Sequence, residues 1–293
     1  MHSLNKGIQA FQRYSSTNNQ MLLKDAIMQV HHGVELLLKE MLLRENPLLI
    51  YENLGDMTKK QEVADRAGVA LFALPDPPKT VTYMDAVKRV GVHIKPKELD
   101  TSLVQDLTEL NRVRNQVEHY AIDVDLDYVT RLLGSLHAPL TALFESQIGG
   151  VVKQFQTPQS DRAWAAVRQD AKAGLDAEKE VAQLLGAFRG QDVPGALFCT
   201  DGRLVLPEFV EILTNYYVPE YGIEVDVLAR GNAESWVVEV KVGKRISASV
   251  LDSLFARGLY LKAMPWLVVF SPIPVSLRDA ARQRRVLLTG PEE

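Results

Sequence analysis

Apolar residues follow two different periods in the two halves of this chain. From Ser16 to Glu45, residues Leu22, Leu23, Ile27, Val30, Val34, Leu37, Leu38, Met41 and Leu42 recur every three or four positions. That spacing predicts a long helix with a continuous buried stripe, ended by Asn46-Pro47. Leu48-Leu49-Ile50-Tyr51 is expected to pack back on it, and a charged helix to occupy about Lys59 to Asp65. Leu74-Pro75-Asp76-Pro77-Pro78 reads as a rigid exposed connection. A further helix covers Thr82 to Val90 with Gly91 as its expected cap, and another starts near Leu103. Strand signals are nearly absent before residue 150.

The second half alternates. Gly174 to Leu185 has helical spacing, Leu197-Phe198-Cys199 and Leu204-Val205-Leu206 look like short strands, and Pro207 to Tyr217 reads as an amphipathic helix. Gly222-Ile223-Glu224-Val225-Asp226-Val227-Leu228 and Val237-Val238-Glu239-Val240-Lys241 read as two strands joined by a turn at Arg230-Gly231-Asn232-Ala233-Glu234. A helical segment from Ser247 to Met264, a buried strand from Trp266 to Ser271, a helix near Val275 and a short strand from Val286 to Thr289 complete the order. The predicted architecture is an α-helical bundle followed by an α/β domain with a central mixed sheet. The boundary falls near Ser146 to Gly150: a helical domain over 1–150, a linker over 151–162 with Ser160 or Asp161 as N-cap of the next helix, and an α/β domain over 163–293.

With 293 residues, 46% hydrophobic and 24% charged, the chain can build two ordinary cores. No apolar run has the length of a membrane span and no secretory signal opens the chain, so no membrane partner is expected. The single Cys199 fits a reducing cytoplasm. Against 33 Lys and Arg stand 37 Asp and Glu, a net charge of −4, which excludes indiscriminate nucleic-acid binding. Any nucleic-acid groove has to be a local basic patch; Lys244 and Arg245, and the cluster Arg282 to Arg285, are the candidates.

Within the valine-rich strand, Glu239 and Lys241 stand two residues apart and share a face, and a neighbouring strand would bring Asp226 beside them. Desolvating three charges is costly unless a metal or substrate compensates them. This arrangement resembles the PD-(D/E)xK superfamily of restriction-endonuclease-like nucleases, with Asp226 as the acid and Glu239-Val240-Lys241 as the E-x-K element. The resemblance implies a further acid on a preceding helix, for which Glu178 is the first choice and Glu180 the alternative. It implies that Asp226, Glu239 and the Val240 carbonyl hold Mg²⁺ or Mn²⁺, that Lys241 orients or activates water, and that the substrate is nucleic acid, DNA before RNA.

In the first half, Arg114-Asn115 followed by His119 resembles the R-x(4–6)-H signature of HEPN domains, and Val34 to Glu40 resembles that family's first core helix, so the resemblance covers most of residues 1 to 148. It implies proton transfer by His119 at a ribose hydroxyl or leaving oxygen, phosphate stabilisation by Arg114, and a homodimer with facing motifs. At 100° per residue, Asn115 and His119 share a face while Arg114 lies about 140° from His119. Together the two resemblances imply a nuclease of antiviral defence with an ATPase or sensor as partner. Three classes follow: a metal-dependent endonuclease with a dimerising or regulatory helical domain, a metal-independent ribonuclease using Arg114 and His119, and a noncatalytic interaction protein. The pair His31-His32 lacks companions at zinc-ligand spacing and is expected to be exposed or packed; His93 and His137 are isolated. Tyr216, Tyr217 and Tyr221 could stack on bases but fit core or interface positions better.

Overall fold

A computed structural model describes the chain except residues 1, 18–19, 120–125, 156, 189–190, 192–204, 219–222, 243–245, 247 and 292–293; the side chains of 15–17, 20, 119, 151–155, 223 and 248 are also outside the description. Cys199, Tyr221, Lys244 and Arg245 therefore lie outside the described residues, as does the expected strand at 197–199. Two compact units result: residues 1–124 with 128–168, and residues 125–127 with 169–293.

The first unit is helical. Helices α1 (His2–Thr17) and α2 (Gln20–Glu45) form an antiparallel hairpin, where the sequence pattern had indicated one long helix from Ser16. Leu23, Ile27, Val30, Val34, Leu37, Leu38, Met41 and Leu42 are buried as expected, and Leu4, Ile8, Phe11 and Tyr14 on α1 cover them. Each such side chain stabilises by about 1.5–3 kcal/mol on burial. The two helices approach closely through glycine: a Cβ on Gly33 would lie 2.7 Å from the Leu4 amide nitrogen. A 3₁₀ turn at Pro47–Ile50 follows, capped by the Asn46 side chain. Then come α3 (Leu54–Ala67), α4 (Tyr83–Arg89), α5 (Thr101–His119) and α6 (Leu126–Phe155). Gly91 does not end α4: the helix widens into a π turn over Val90–Ile94 and stops at Lys95, which takes the left-handed conformation with φ 55°. The backbone hydrogen bond from Lys95 to Val90 supplies the closure expected of a glycine cap.

The expected linker at 151–162 is instead the end of α6 and the start of α7 (Pro158–Ala187). Ile148 leaves helical geometry (φ −137°, ψ 26°), so Ser146 to Gly150 mark a kink. Thr157, rather than Ser160 or Asp161, caps α7: its hydroxyl accepts from the Ser160 amide, and the Ser160 hydroxyl accepts from the Thr157 amide. Ala163, Trp164 and Val167 are buried, and Trp164 stacks on His137, which keeps the opening turns of α7 with the first unit.

In the second unit a five-stranded mixed sheet runs in the order β1 (Phe209–Val218), β2 (Ile223–Gly231), β3 (Ser235–Lys241), β4 (Met264–Val269), β5 (Leu287–Thr289). The first three strands form an antiparallel meander, and β4 and β5 join in parallel after α8 (Ala248–Leu261) and α9 (Val275–Arg284). The amphipathic helix expected over Pro207 to Tyr217 is thus a strand. Val210, Ile212 and Thr214 are β-branched, and pairing along the whole of β2 outweighs their helix-like spacing. Gly231 permits the β2–β3 turn, since a Cβ there would meet the Glu208 and Glu234 carbonyl oxygens at 2.7 and 2.8 Å.

Alternation along β3 separates two cores. Trp236, Val238 and Val240 pack with Ala177, Val181, Leu184 and Leu185 of α7, together with Val227 and Ala229. Val237 packs on the opposite side with Leu251 and Leu254 of α8 and Leu277 of α9. Glu239 and Lys241 therefore belong to the α8 side. Buried Trp266 donates to the Thr289 hydroxyl at 3.0 Å, tying β4 to β5.

Candidate active site

Three of the predicted residues come together at the end of the β2–β3 ladder. The last paired residues are Val227 and Val238, and one step beyond them Asp226 and Glu239 follow on adjacent strands. The Val240 amide donates to Asp226 Oδ2 at 2.8 Å, so the aspartate reaches across to the backbone between Glu239 and Lys241. Lys241 Nζ lies 2.8 Å from Glu239 Oε1 and 2.6 Å from Oδ2 of Asp127, a residue of the same compact unit. Asp226 and Glu239 are each 2% exposed and Lys241 6%. β3 is held between β2 and β4, with Glu239 in register with Leu267 and Lys241 with Val269, which accounts for burial on a central strand.

The other oxygen of Glu239 has a partner that the sequence pattern did not indicate. Arg257 of α8 places Nη1 2.5 Å from Glu239 Oε2. Its legible signal was compositional: Asp252 and Arg257 are the only charged residues in the helix ASVLDSLFARGLYL. Leu251 and Leu254 turn toward the sheet, and Arg257, three residues after Leu254, stays near that edge. Burial distinguishes the two candidate glutamates of α7, since Glu178 is 1% exposed and Glu180 is exposed. The neighbours of Glu178, Ala177 and Val181, face the other side of the sheet from Glu239 and Lys241.

The donors suit a hard divalent ion in kind: Asp226 and Glu239 offer buried carboxylate oxygens and the strand offers main-chain carbonyls. Among the described residues no group of three or more His, Cys, Asp or Glu could hold a metal ion by itself. Two carboxylates fit Mg²⁺ that keeps several waters, and fit poorly an ion needing a full protein cage.

The HEPN-like positions are arranged differently. Arg114 Nη1 contacts Glu118 Oε2 at 2.5 Å and donates to Asn115 Oδ1 at 2.9 Å, so its charge is neutralised within α5. His119 is the last residue of that helix. The histidine that meets α5 inside the unit is His31, whose Nε2 lies 3.1 Å from Asn111 Oδ1 and whose ring stacks on Tyr83 at 4.0 Å. Burial holds His31 below the usual imidazole range, with Arg114 reinforcing and the Asn111 hydrogen bond opposing. His32 is exposed. His137 is likewise pushed down, to about 4, by burial and by the Arg168 guanidinium.

The surface cations of α9 are tied internally: Arg284 pairs with Asp252 at 2.5 Å and Arg282 with Asp279 at 3.7 Å. Tyr216 receives the Arg230 guanidinium over its ring. Compared with protein-family models, curated proteins and solved structures, the chain finds no match in any of the three. Among the described residues no helix is long and apolar enough to cross a membrane.

Proposed function

We propose that the second unit is a metal-dependent phosphodiesterase of the PD-(D/E)xK kind, an endonuclease with DNA as its substrate, and that the helical unit dimerises or regulates it. One observation carries this reading: Asp226, Glu239 and Lys241 are buried together in a hydrogen-bonded cluster on adjacent strands. Such a cluster is poor value as a stabilising device, because apolar residues of similar size would fill the site at lower cost. The order helix, antiparallel meander, helix and parallel strand supports the same reading.

When held by Asp226, Glu239 and the Val240 carbonyl, Mg²⁺ or Mn²⁺ would polarise the phosphoryl oxygen and offset charge on the departing oxygen. Asp226, braced by the Val240 amide, fixes one donor direction. Lys241 orients the attacking water, which gives up a proton to solvent as it displaces the 3′-side or 5′-side oxygen of the phosphodiester in line; the departing oxygen takes up a proton from solvent. No covalent enzyme intermediate is required.

The test is cleavage of labelled single- and double-stranded DNA and RNA by the purified chain in Mg²⁺, Mn²⁺ or EDTA, beside Lys241→Ala and His119→Ala. Metal-dependent DNA cleavage lost in Lys241→Ala and kept in His119→Ala is the expected result. RNA cleavage that resists EDTA and disappears only in His119→Ala would overturn it in favour of a HEPN ribonuclease. A role in antiviral defence, under an ATPase or sensor partner, extends this proposal to the cell.

A further inference from the structure

The Arg257–Glu239 pair carries an inference that rests on the nuclease reading and deepens it. Glu239 is engaged at both oxygens, by Lys241 at 2.8 Å and by Arg257 at 2.5 Å. Metal ligation requires at least one of these oxygens. Lys241 is set on the same strand as Glu239, two residues away, whereas Arg257 arrives on a long side chain from α8 and keeps 19% of its side chain exposed. A guanidinium has five donors and matches the paired oxygens of a phosphate.

We propose that Arg257 is a switching ligand: it neutralises Glu239 before metal is bound, and on metal loading its guanidinium passes to the phosphodiester of the DNA substrate. The driving force is electrostatic. A divalent ion at Glu239 cancels the charge that holds Arg257, and the nearest new anion is the phosphate that same ion attracts. Arg257 thereby competes with the metal and cooperates with the substrate. This opposition separates it from a brace, whose loss would weaken both.

The experiment measures two affinities on the full chain, neither of them turnover. Mn²⁺ binding is followed by calorimetry without DNA. Binding of a labelled DNA duplex is followed by anisotropy in Ca²⁺, as a function of salt. In Arg257→Gln, Mn²⁺ should bind about 3- to 30-fold more tightly. The same variant should bind duplex about 10-fold more weakly, with the slope of log affinity against log salt reduced by about one phosphate contact. Arg257→Lys should lie between Arg257→Gln and the unaltered chain on both measures. Thermal melts of both variants identify misfolding, and Arg257→Lys carries the test if Arg257→Gln does not fold. Losses in both affinities, or no change in either, overturn the switching role while leaving the nuclease reading intact. An unaltered chain that binds neither Mn²⁺ nor duplex overturns the nuclease reading, and this inference with it.

Discussion

The helical unit and the α/β unit bury polar groups on opposite principles. Among the described residues, the helical unit buries His31, Thr130 and Ser160, all of which can be neutral, while the α/β unit buries Ser271 and Thr289 and also the ionisable Glu178, Asp226, Glu239 and Lys241. In the first, desolvation is avoided by discharging the group: His31 is held below its ordinary range by burial and satisfied by Asn111 and the Tyr83 ring. In the second, Glu239, Lys241 and Arg257 are set against one another as ion pairs. Retained charge costs several kcal/mol per ion after relaxation, and the proposed chemistry would account for the gathering of Asp226, Glu239 and Lys241 at the end of the β2–β3 ladder.

The sharpest test of that contrast is Lys241→Ala, which should lower metal-dependent cleavage by about 10²- to 10⁴-fold, the range for removing a positioned proton-transfer or electrostatic group. Steady-state assays on duplex DNA would show it, and cleavage within threefold of the unaltered chain would remove Lys241 from the site. Glu239→Ala removes the buried carboxylate that both Lys241 and Arg257 pair with. Denaturant unfolding should then show a loss of about 3–5 kcal/mol, the cost of breaking a buried ion pair from one side. Restoration of most of that loss in Glu239→Ala combined with Arg257→Met would tie it to the stranded cation.

Acid should act on the helical unit through His137. Its folded value, about 4, lies below the ordinary 6.5, so the neutral ring favours the folded state fully above pH 6.5. That contribution fades as pH falls toward 4, because the unfolded chain takes up the proton first; discounted for partial exposure, it is on the order of 1–2 kcal/mol. Unfolding midpoints of the unaltered chain and His137→Phe at pH 7 and 4.5 should converge at the lower pH. The smallest effect belongs to His31→Phe, which keeps the stack on Tyr83 and loses the Asn111 hydrogen bond. A cost of about 0.5–1.5 kcal/mol is expected. A cost equal to that of Glu239→Ala would erase the distinction between the units.

Legibility in the sequence followed the range of the interactions. The stripe on α2 and the alternation on β3 were readable because period alone sets which face is buried, as at Val34 and Val238. Asp226, Glu239 and Lys241 could be placed together because an antiparallel hairpin fixes register locally. The strand at Phe209–Val218 was misread as a helix because pairing with β2, not its own spacing, decides its state. Arg257 was missed because its partner lies 18 residues earlier across a crossover. Thr157 was passed over because the pair Thr157–Ser160 caps reciprocally, and either residue alone has capping character.

The face alternation of β3 also limits how this chain can change length. Between Gly231 and Ser235, losing or gaining one residue in the turn would slide β3 by one position if pairing with β2 were kept. Glu239 and Lys241 would then enter the layer of Val181 and Leu185, and Val238 and Val240 would take the site. A two-residue change restores every side chain to its own side. Variation in this hairpin should therefore come in even steps, so that heritable insertions and deletions here are filtered by parity as well as by size.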